Sequence, residues 1–162
     1  MASHDIFARL IEDHDKHRDL LARLDNLKGA SDERAQLFEQ FTKEVKGHAA
    51  AEEQALYSTM MRKPETTADT RHSVAEHHEI EEALNDLAAT DMQRSEWLDK
   101  FAALRDRYLH HIDEEEEENF PEFSNYLTSE DEAYMKDVFE RRKKAEKAAA
   151  EVTPEKMEDA KA

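Results

Sequence analysis

Apolar residues recur at alternating steps of three and four residues in four separate segments of this chain. That spacing keeps one side of an α-helix apolar and predicts an amphipathic helix in each segment. In the fourth segment the stripe is formed by Trp97, Phe101, Leu104, Tyr108, His111 and Glu115. A stripe that ends in His-x-x-x-Glu places a nitrogen donor and an oxygen donor one turn apart on the inside. The pattern therefore indicates buried polar chemistry as well as a core.

Capping residues and helix breakers predict where these four helices begin and end. Ser3 and Ser31 are expected as N-caps, Gly29 as a C-terminal stop and Pro121 as the residue that ends the fourth helix. The expected spans are about 3–29, 31–61, 69–89 and 91–119. Long helices joined by short connections favour antiparallel neighbours, so the fold predicted is an all-α, up-down-up-down four-helix bundle.

A fifth helix is predicted after the bundle. Ser129 and Glu132 form a capping box at its start, Phe139 gives it an apolar side, and a basic stretch follows at 141–147. The segment after Val152 is polar and is expected to fray. We therefore expect the bundle in residues 1–127, and the additional helix and tail in residues 128–162.

The two halves of the predicted bundle repeat each other at a spacing of 63 residues. The corresponding pairs are His14 and His77, His48 and His111, and Glu52 and Glu115. Each half is thus a helix with one histidine followed by a helix with His-x-x-x-Glu.

The composition excludes several classes of function. A formal net charge of −17 argues against nucleic acid and anionic membranes as partners. With 0 cysteines the chain has no thiolate nucleophile and no ligands for an iron–sulfur cluster. Neither a leader peptide nor a long apolar run is present in the sequence, so we expect a cytoplasmic protein, either a monomer or a weak homo-oligomer.

The six repeated donors are too many for one tetrahedral zinc ion and suit two first-row metal ions. In a workable arrangement each ion takes two imidazoles, and Glu52 and Glu115 bridge the pair together with an oxo or hydroxo group. A sixth position then stays open for dioxygen, peroxide or nitric oxide. Mixed imidazole and carboxylate ligation suits iron or manganese.

These residues resemble the hemerythrin-like proteins, which carry the His-His-Glu cation-binding domain, over about residues 4–124. The resemblance implies a non-haem, oxo-bridged di-iron centre in the bundle core. In the oxygen carriers of that family the third helix has His-x-x-x-His and the fourth His-x-x-x-x-Asp. Here Ser73 and Glu81 flank His77, and Glu115 follows His111. These departures argue against reversible oxygen carriage and favour the bacterial branch, which is linked to peroxide, gas response and iron handling.

Three further residues are candidates for the surroundings of the metal ions. Tyr57, which corresponds to Phe120, is expected either to pack at the bundle end or to coordinate iron or supply a proton. Glu81 is expected at the rim, with a role as a distal ligand as the alternative. His17 is expected as a hydrogen-bonded core residue rather than a ligand.

Four more histidines have no place in the predicted site. His78 and His110 are expected to point outward, and no role is assigned to His4 or His72.

The leading hypothesis is a di-iron protein that reacts with hydrogen peroxide or a related small oxidant. The alternatives are a dioxygen or nitric oxide binding protein without turnover, an iron storage protein, and a metal-free interaction module that uses the basic stretch 141–147. Metal content and reactivity distinguish them.

Overall fold

A computed structural model describes residues 5–27 and 31–150, and this part of the chain forms five helical rods without a β-strand. Helix α1 is Ile6–Asn26, α3 is Thr67–Ala88 and α5 is Ser129–Ala150. Helix α2 and helix α4 each contain a π-helical turn. Their successive parts are Asp32–Glu52, Glu53–Tyr57 and Ser58–Met60 for α2, and Ser95–Glu114, Glu115–Asn119 and Phe120–Ser124 for α4. The prediction of a four-helix bundle with an additional helix is confirmed.

The start of α2 agrees with the sequence, because the Ser31 hydroxyl accepts a hydrogen bond from the Arg34 backbone N–H at 3.1 Å. At the start of α1, Asp5 is the N-cap and accepts from the Phe7 N–H at 2.8 Å. Ser3, Gly29 and the tail after Val152 lie outside the described residues.

The prediction that Pro121 ends the fourth helix is wrong. Pro121 lies in the first turn of Phe120–Ser124, directly after a π-helical turn, and the helix continues to Ser124. The first turn of a helical segment is where proline is best tolerated, since it lacks only an N–H that would have no α-helical partner there.

The predicted capping box at the start of α5 is displaced by one residue. Thr128 Oγ1 accepts from the Asp131 N–H at 3.1 Å, and the Asp131 carboxylate accepts from the Thr128 N–H at 2.9 Å. Thr128 is therefore the N-cap, in place of Ser129, because the chain adopts helical geometry from Ser129 onward.

The core consists of two apolar clusters with a layer of histidines between them. Phe41 and Trp97 belong to one cluster, and Met60 and Phe139 belong to the other. The His17 ring lies 6.3 Å from that of Phe41, and the His48 ring lies 5.6 Å from that of Phe139. The polar layer is thus enclosed from both ends of the bundle.

Helix α5 packs along α1 and α2 rather than extending away from the bundle. Phe139 is fully buried, and the Lys143 ammonium lies 3.0 Å from the Asp13 carboxylate. Arg142 donates to the Gln54 side chain at 2.7 Å. Part of the basic stretch at 141–147 therefore faces the protein's own bundle. The expected boundary at residue 127 between the bundle and the additional helix stays a prediction.

None of the helices in the described ranges has the length and apolar character that a bilayer span requires.

Candidate metal centre

Each of the four bundle helices contributes one of the predicted ligand histidines to the buried polar layer, because each carries it on its apolar stripe. The histidines are joined by the glutamates that follow one turn later on α2 and α4. All six predicted side chains are at most 9% exposed, namely His14, His48, Glu52, His77, His111 and Glu115. The structure therefore brings together the set that the repeat predicted.

The six side chains form two overlapping groups of donors. One group contains Glu52, His77, His111 and Glu115, and the other contains His14, His48 and Glu52, with the donor atoms of each group within 4.8 Å of one another. Each group holds the two histidines of one repeat copy, and Glu52 belongs to both groups.

The distances between donor atoms are short across the helices as well as along them. His77 Nε2 lies 3.1 Å from Glu52 Oε1, and His111 Nε2 lies 2.8 Å from Glu115 Oε1. His14 Nε2 lies 3.8 Å from Glu115 Oε1. The glutamate of each copy is thus close to a histidine of the other copy.

Several of these donors are buried without a hydrogen-bond partner. They are Nε2 of His14, His48 and His111, both carboxylate oxygens of Glu52, and Oε1 of Glu115. Leaving one buried polar group unpaired costs on the order of 1–3 kcal/mol. A cluster of such atoms that converge on one another has the form of a cation site.

Carboxylates outside the six donors hold the other ring nitrogen of three histidines. Glu116 Oε2 lies 2.7 Å from His14 Nδ1, and Asp13 Oδ2 lies 2.8 Å from His48 Nδ1. An ionised carboxylate only accepts, so Nδ1 carries the proton and Nε2 presents its lone pair to the centre.

The third histidine, His111, is held in the same way by Glu76, whose Oε1 lies 2.9 Å from Nδ1. For His77 the corresponding distance, from Nδ1 to Glu53 Oε1, is 3.8 Å. Asp13 and Glu76 are not among the residues predicted from the sequence. Their signal is the repeat itself, since both directly precede a ligand histidine and are 63 residues apart.

Residues 5–123 match the family of the hemerythrin HHE cation binding domain. The chain belongs to the hemerythrin HHE cation-binding family. Among solved structures, it is similar to a hemerythrin HHE cation binding domain-containing protein from Mycobacterium kansasii. The two share 21% sequence identity with a TM-score of 0.79, over 89% of this chain and 88% of the other. At that identity the likeness shows the fold alone, and no curated protein matches the chain.

The two glutamates of the HHE centre carry opposite pKa shifts. Burial and the nearby charge of Glu115 raise the pKa of Glu52 well above its usual value. Burial alone would also raise the pKa of Glu115, but the charge of the neighbouring His111 lowers it well below the usual value. Without a metal ion the centre therefore keeps one glutamate protonated and the other ionised.

Two histidines of the HHE centre, His48 and His111, also carry pKa shifts of opposite direction. Burial lowers the pKa of His48 to about 4, although its hydrogen bond to Asp13 opposes the change. Burial would also lower the pKa of His111, but Glu115 and Glu76 outweigh it and raise the value to about 9. His48 is thus neutral at neutral pH, and His111 must lose a proton before Nε2 can bind a cation.

Tyr57 is hydrogen-bonded to a glutamate of the HHE centre. Its hydroxyl donates to Glu115 Oε2 at 2.6 Å, and its ring lies 5.3 Å from that of His77. Burial and the charge of Glu115 raise the pKa of Tyr57 well above its usual value. The phenol is therefore a protonated donor at neutral pH, held beside one of the two central carboxylates.

His17 and Glu81 take the places that the sequence favoured. His17 is fully buried, belongs to neither donor group, and has its Nδ1 2.6 Å from the Tyr108 hydroxyl. Glu81 is exposed and lines the mouth of a cleft of about 460 Å³ between α2 and α3. This cleft reaches His77 and Glu115 at its inner end and is bordered by Arg142 of α5.

Proposed function

We propose that this protein holds two iron ions in its HHE centre and reacts there with hydrogen peroxide or a related small oxidant. The observation that carries the proposal is the set of six buried donors, most of which have an atom without a hydrogen-bond partner. Four of the six, His48, His77, His111 and Glu115, line a cleft that opens to solvent. The family membership supports cation binding. The identity of the metal and the number of two ions are inferred from the donors themselves.

The donor set fits two ions of this kind. His14 and His48 would hold one ion and His77 and His111 the other, with Glu52 between them. The donors fall into two groups, each with its atoms within 4.8 Å of one another, which favours two ions over one. The mixture of nitrogen and oxygen donors suits iron. When bound, the ions would supply redox and Lewis-acid chemistry.

The chain's own contribution is to enclose the centre, to admit a small molecule and to supply a proton. The two apolar clusters keep bulk water from the donors. The cleft has room for a molecule of the size of hydrogen peroxide beside His77 and Glu115. Tyr57 can donate the proton of its hydroxyl to an oxygen atom held near Glu115, which it already contacts at 2.6 Å.

The test is oxygen evolution from hydrogen peroxide by the iron-loaded protein, corrected for the same concentration of free iron. We expect turnover by the wild type, iron binding of two ions per chain, and loss of both in His111→Ala. Equal rates for the wild type and for free iron would reject the oxidant chemistry.

Two alternatives give other outcomes in the same preparation. A reversible change of the visible spectrum on exposure to dioxygen or nitric oxide, with no peroxide turnover, would identify a gas-binding protein. Weakly held, exchangeable iron without either response would identify an iron buffer. Unchanged melting after iron addition would argue against any metal role, because a ligand bound to the folded state stabilises it.

A further inference from the structure

A second pair of His-x-x-x-Glu motifs lies on the outer side of the bundle. His72 and Glu76 are one turn apart on α3, and His110 and Glu114 are one turn apart on α4. The two histidine side chains are 56% and 74% exposed, and the two glutamates 15% and 21%. Neither histidine has a function predicted from the sequence.

The two motifs face each other across the α3–α4 contact. His72 Nε2 lies 3.4 Å from Glu76 Oε1 of its own helix and 3.3 Å from Glu114 Oε1 of the other helix. His110 Nε2 lies 3.3 Å from Glu114 Oε2. Glu114 is therefore within reach of both imidazoles.

These separations have the size that ligands of one ion require. Zinc binds imidazole nitrogen and carboxylate oxygen at about 2.0–2.1 Å, so two donors of a tetrahedral site lie about 3.3–3.4 Å apart. A direct charge-assisted hydrogen bond between imidazole and carboxylate is shorter, about 2.7–2.9 Å. The distances of 3.3–3.4 Å from His72 and His110 to the two glutamates match the separation of two metal ligands rather than the length of a direct hydrogen bond.

We propose that His72, Glu76 and Glu114, whose donor atoms lie within 4.8 Å of one another, form a surface site for one divalent first-row cation of the zinc type. His110 lies next to these donors, 3.3 Å from the second carboxylate oxygen of Glu114. The site is separate from the HHE centre, since its donors come from the outer faces of α3 and α4. One imidazole and two carboxylates from two helices give three ligands and leave the ion accessible to solvent. The proposal does not depend on peroxide chemistry.

One ligand of this surface site also contacts the HHE centre. Glu76 Oε1, which lies 3.4 Å from His72 Nε2, lies 2.9 Å from His111 Nδ1. A cation on the outer site would draw electron density from the carboxylate that orients His111. A cation bound at the surface site would therefore change the basicity of His111, a proposed ligand of the inner centre.

The chain offers a matched control. His78 and Glu82 form another exposed His-x-x-x-Glu pair on α3, with Nε2 3.0 Å from Oε1 and side chains 73% and 69% exposed. Both residues belong to one helix, so this pair supplies only two donors. It has the chemistry of the surface motif without the facing motif from α4.

The experiment is a calorimetric titration of Zn²⁺ into the wild type, the double variant His72→Ala/His110→Ala and the control His78→Ala. We expect the double variant to bind one Zn²⁺ fewer than the wild type, or to bind it at least about tenfold more weakly. His78→Ala should keep the wild-type stoichiometry and affinity. Because the inner donors are the same in all three proteins, the loss of one bound Zn²⁺ reports the surface site.

Equal Zn²⁺ binding by the wild type and the double variant would overturn the proposal, and so would an equal loss in His78→Ala. The link through Glu76 between the surface site and the HHE centre is tested separately. In iron-loaded protein, Zn²⁺ should shift the visible absorption of the centre in the wild type and leave it unchanged in the double variant. An identical response in the two proteins would overturn the link.

Discussion

Oδ2 of Asp13 lies 2.8 Å from Nδ1 of His48, and this contact fixes the direction in which the imidazole presents its other nitrogen. Burial by itself would raise the pKa of Asp13. The hydrogen bond from His48, together with the charge of Lys143 and the hydrogen bond from Arg9, outweighs that effect and keeps the pKa below its usual value. Asp13 therefore stays ionised, and it connects helix α5 to the metal centre.

Asp13→Ala should weaken metal binding without removing a ligand. His48 would lose the partner that sets its tautomer and ring orientation, and such losses reduce metal affinity about 10–100-fold. The measurement is competition for the metal with a chelator of known affinity. Asp15→Ala is the control, because Asp15 is exposed on the same helix and pairs with Arg18. Equal affinities in the two variants would contradict a positioning role for Asp13.

Tyr57→Phe should separate iron binding from peroxide turnover. The change removes only the hydroxyl that donates to Glu115 at 2.6 Å. If that hydroxyl supplies a proton, turnover falls by about 100-fold while the iron content stays at the wild-type level. The checks are metal analysis and oxygen evolution on the same preparation. Tyr134→Phe is the control because that side chain is exposed, and a wild-type rate in Tyr57→Phe would rule out the proton donor.

Phe139→Ala should destabilise the whole protein, because α5 is packed into the second apolar cluster. The Phe139 ring is fully buried beside His48 and under the Arg9 guanidinium. Truncation of such a ring costs about 3–5 kcal/mol of unfolding free energy. Urea unfolding measures it. The exposed Tyr134→Ala on the same helix should change the value by less than about 0.5 kcal/mol. A small loss in Phe139→Ala would mean that α5 contributes little to the bundle.

The metal-free protein should lose stability as the pH rises from 6.5 to 9. The folded protein raises the pKa of His111 from 6.5 to about 9, so between these values it binds more protons than the unfolded chain. The contribution of His111 is complete below pH 6.5 and is lost as the pH passes 9. It amounts to about 3 kcal/mol in total.

Urea unfolding of metal-free protein at several pH values measures this loss. His111→Gln should weaken the dependence over that window, while the exposed His78→Gln should keep it. A flat profile for the wild type would show that the charge of His111 does not stabilise the metal-free fold.

Much of the candidate site follows from the repeat in the sequence. The period of the apolar stripe places each ligand histidine on an inner helix face, and burial of the six donors is what that pattern requires. The same repeat contains the supporting carboxylates, since Asp13 and Glu76 are equivalent, as are Glu53 and Glu116. The two members of each pair direct their carboxylates toward equivalent histidines, although Glu53 does so at 3.8 Å.

Other parts of the site break the repeat and could not be derived from it. Tyr57 corresponds to Phe120, and only the packed structure shows that its hydroxyl reaches Glu115. The π-helical turns after Glu52 and within 115–119 were also missed, because an apolar period cannot reveal one extra residue in a turn. The same limit explains the wrong end at Pro121.

By itself the sequence determined the helices, the duplicated halves and the six inward donors, because helical periodicity is local and each residue's face follows from its spacing. The tertiary structure decided which carboxylate supports which histidine, how α5 covers α1 and α2, and how the outer motifs of α3 and α4 meet. Those relations depend on the rotation and offset of packed helices. Interlocking side chains set both quantities, and no single helix encodes them.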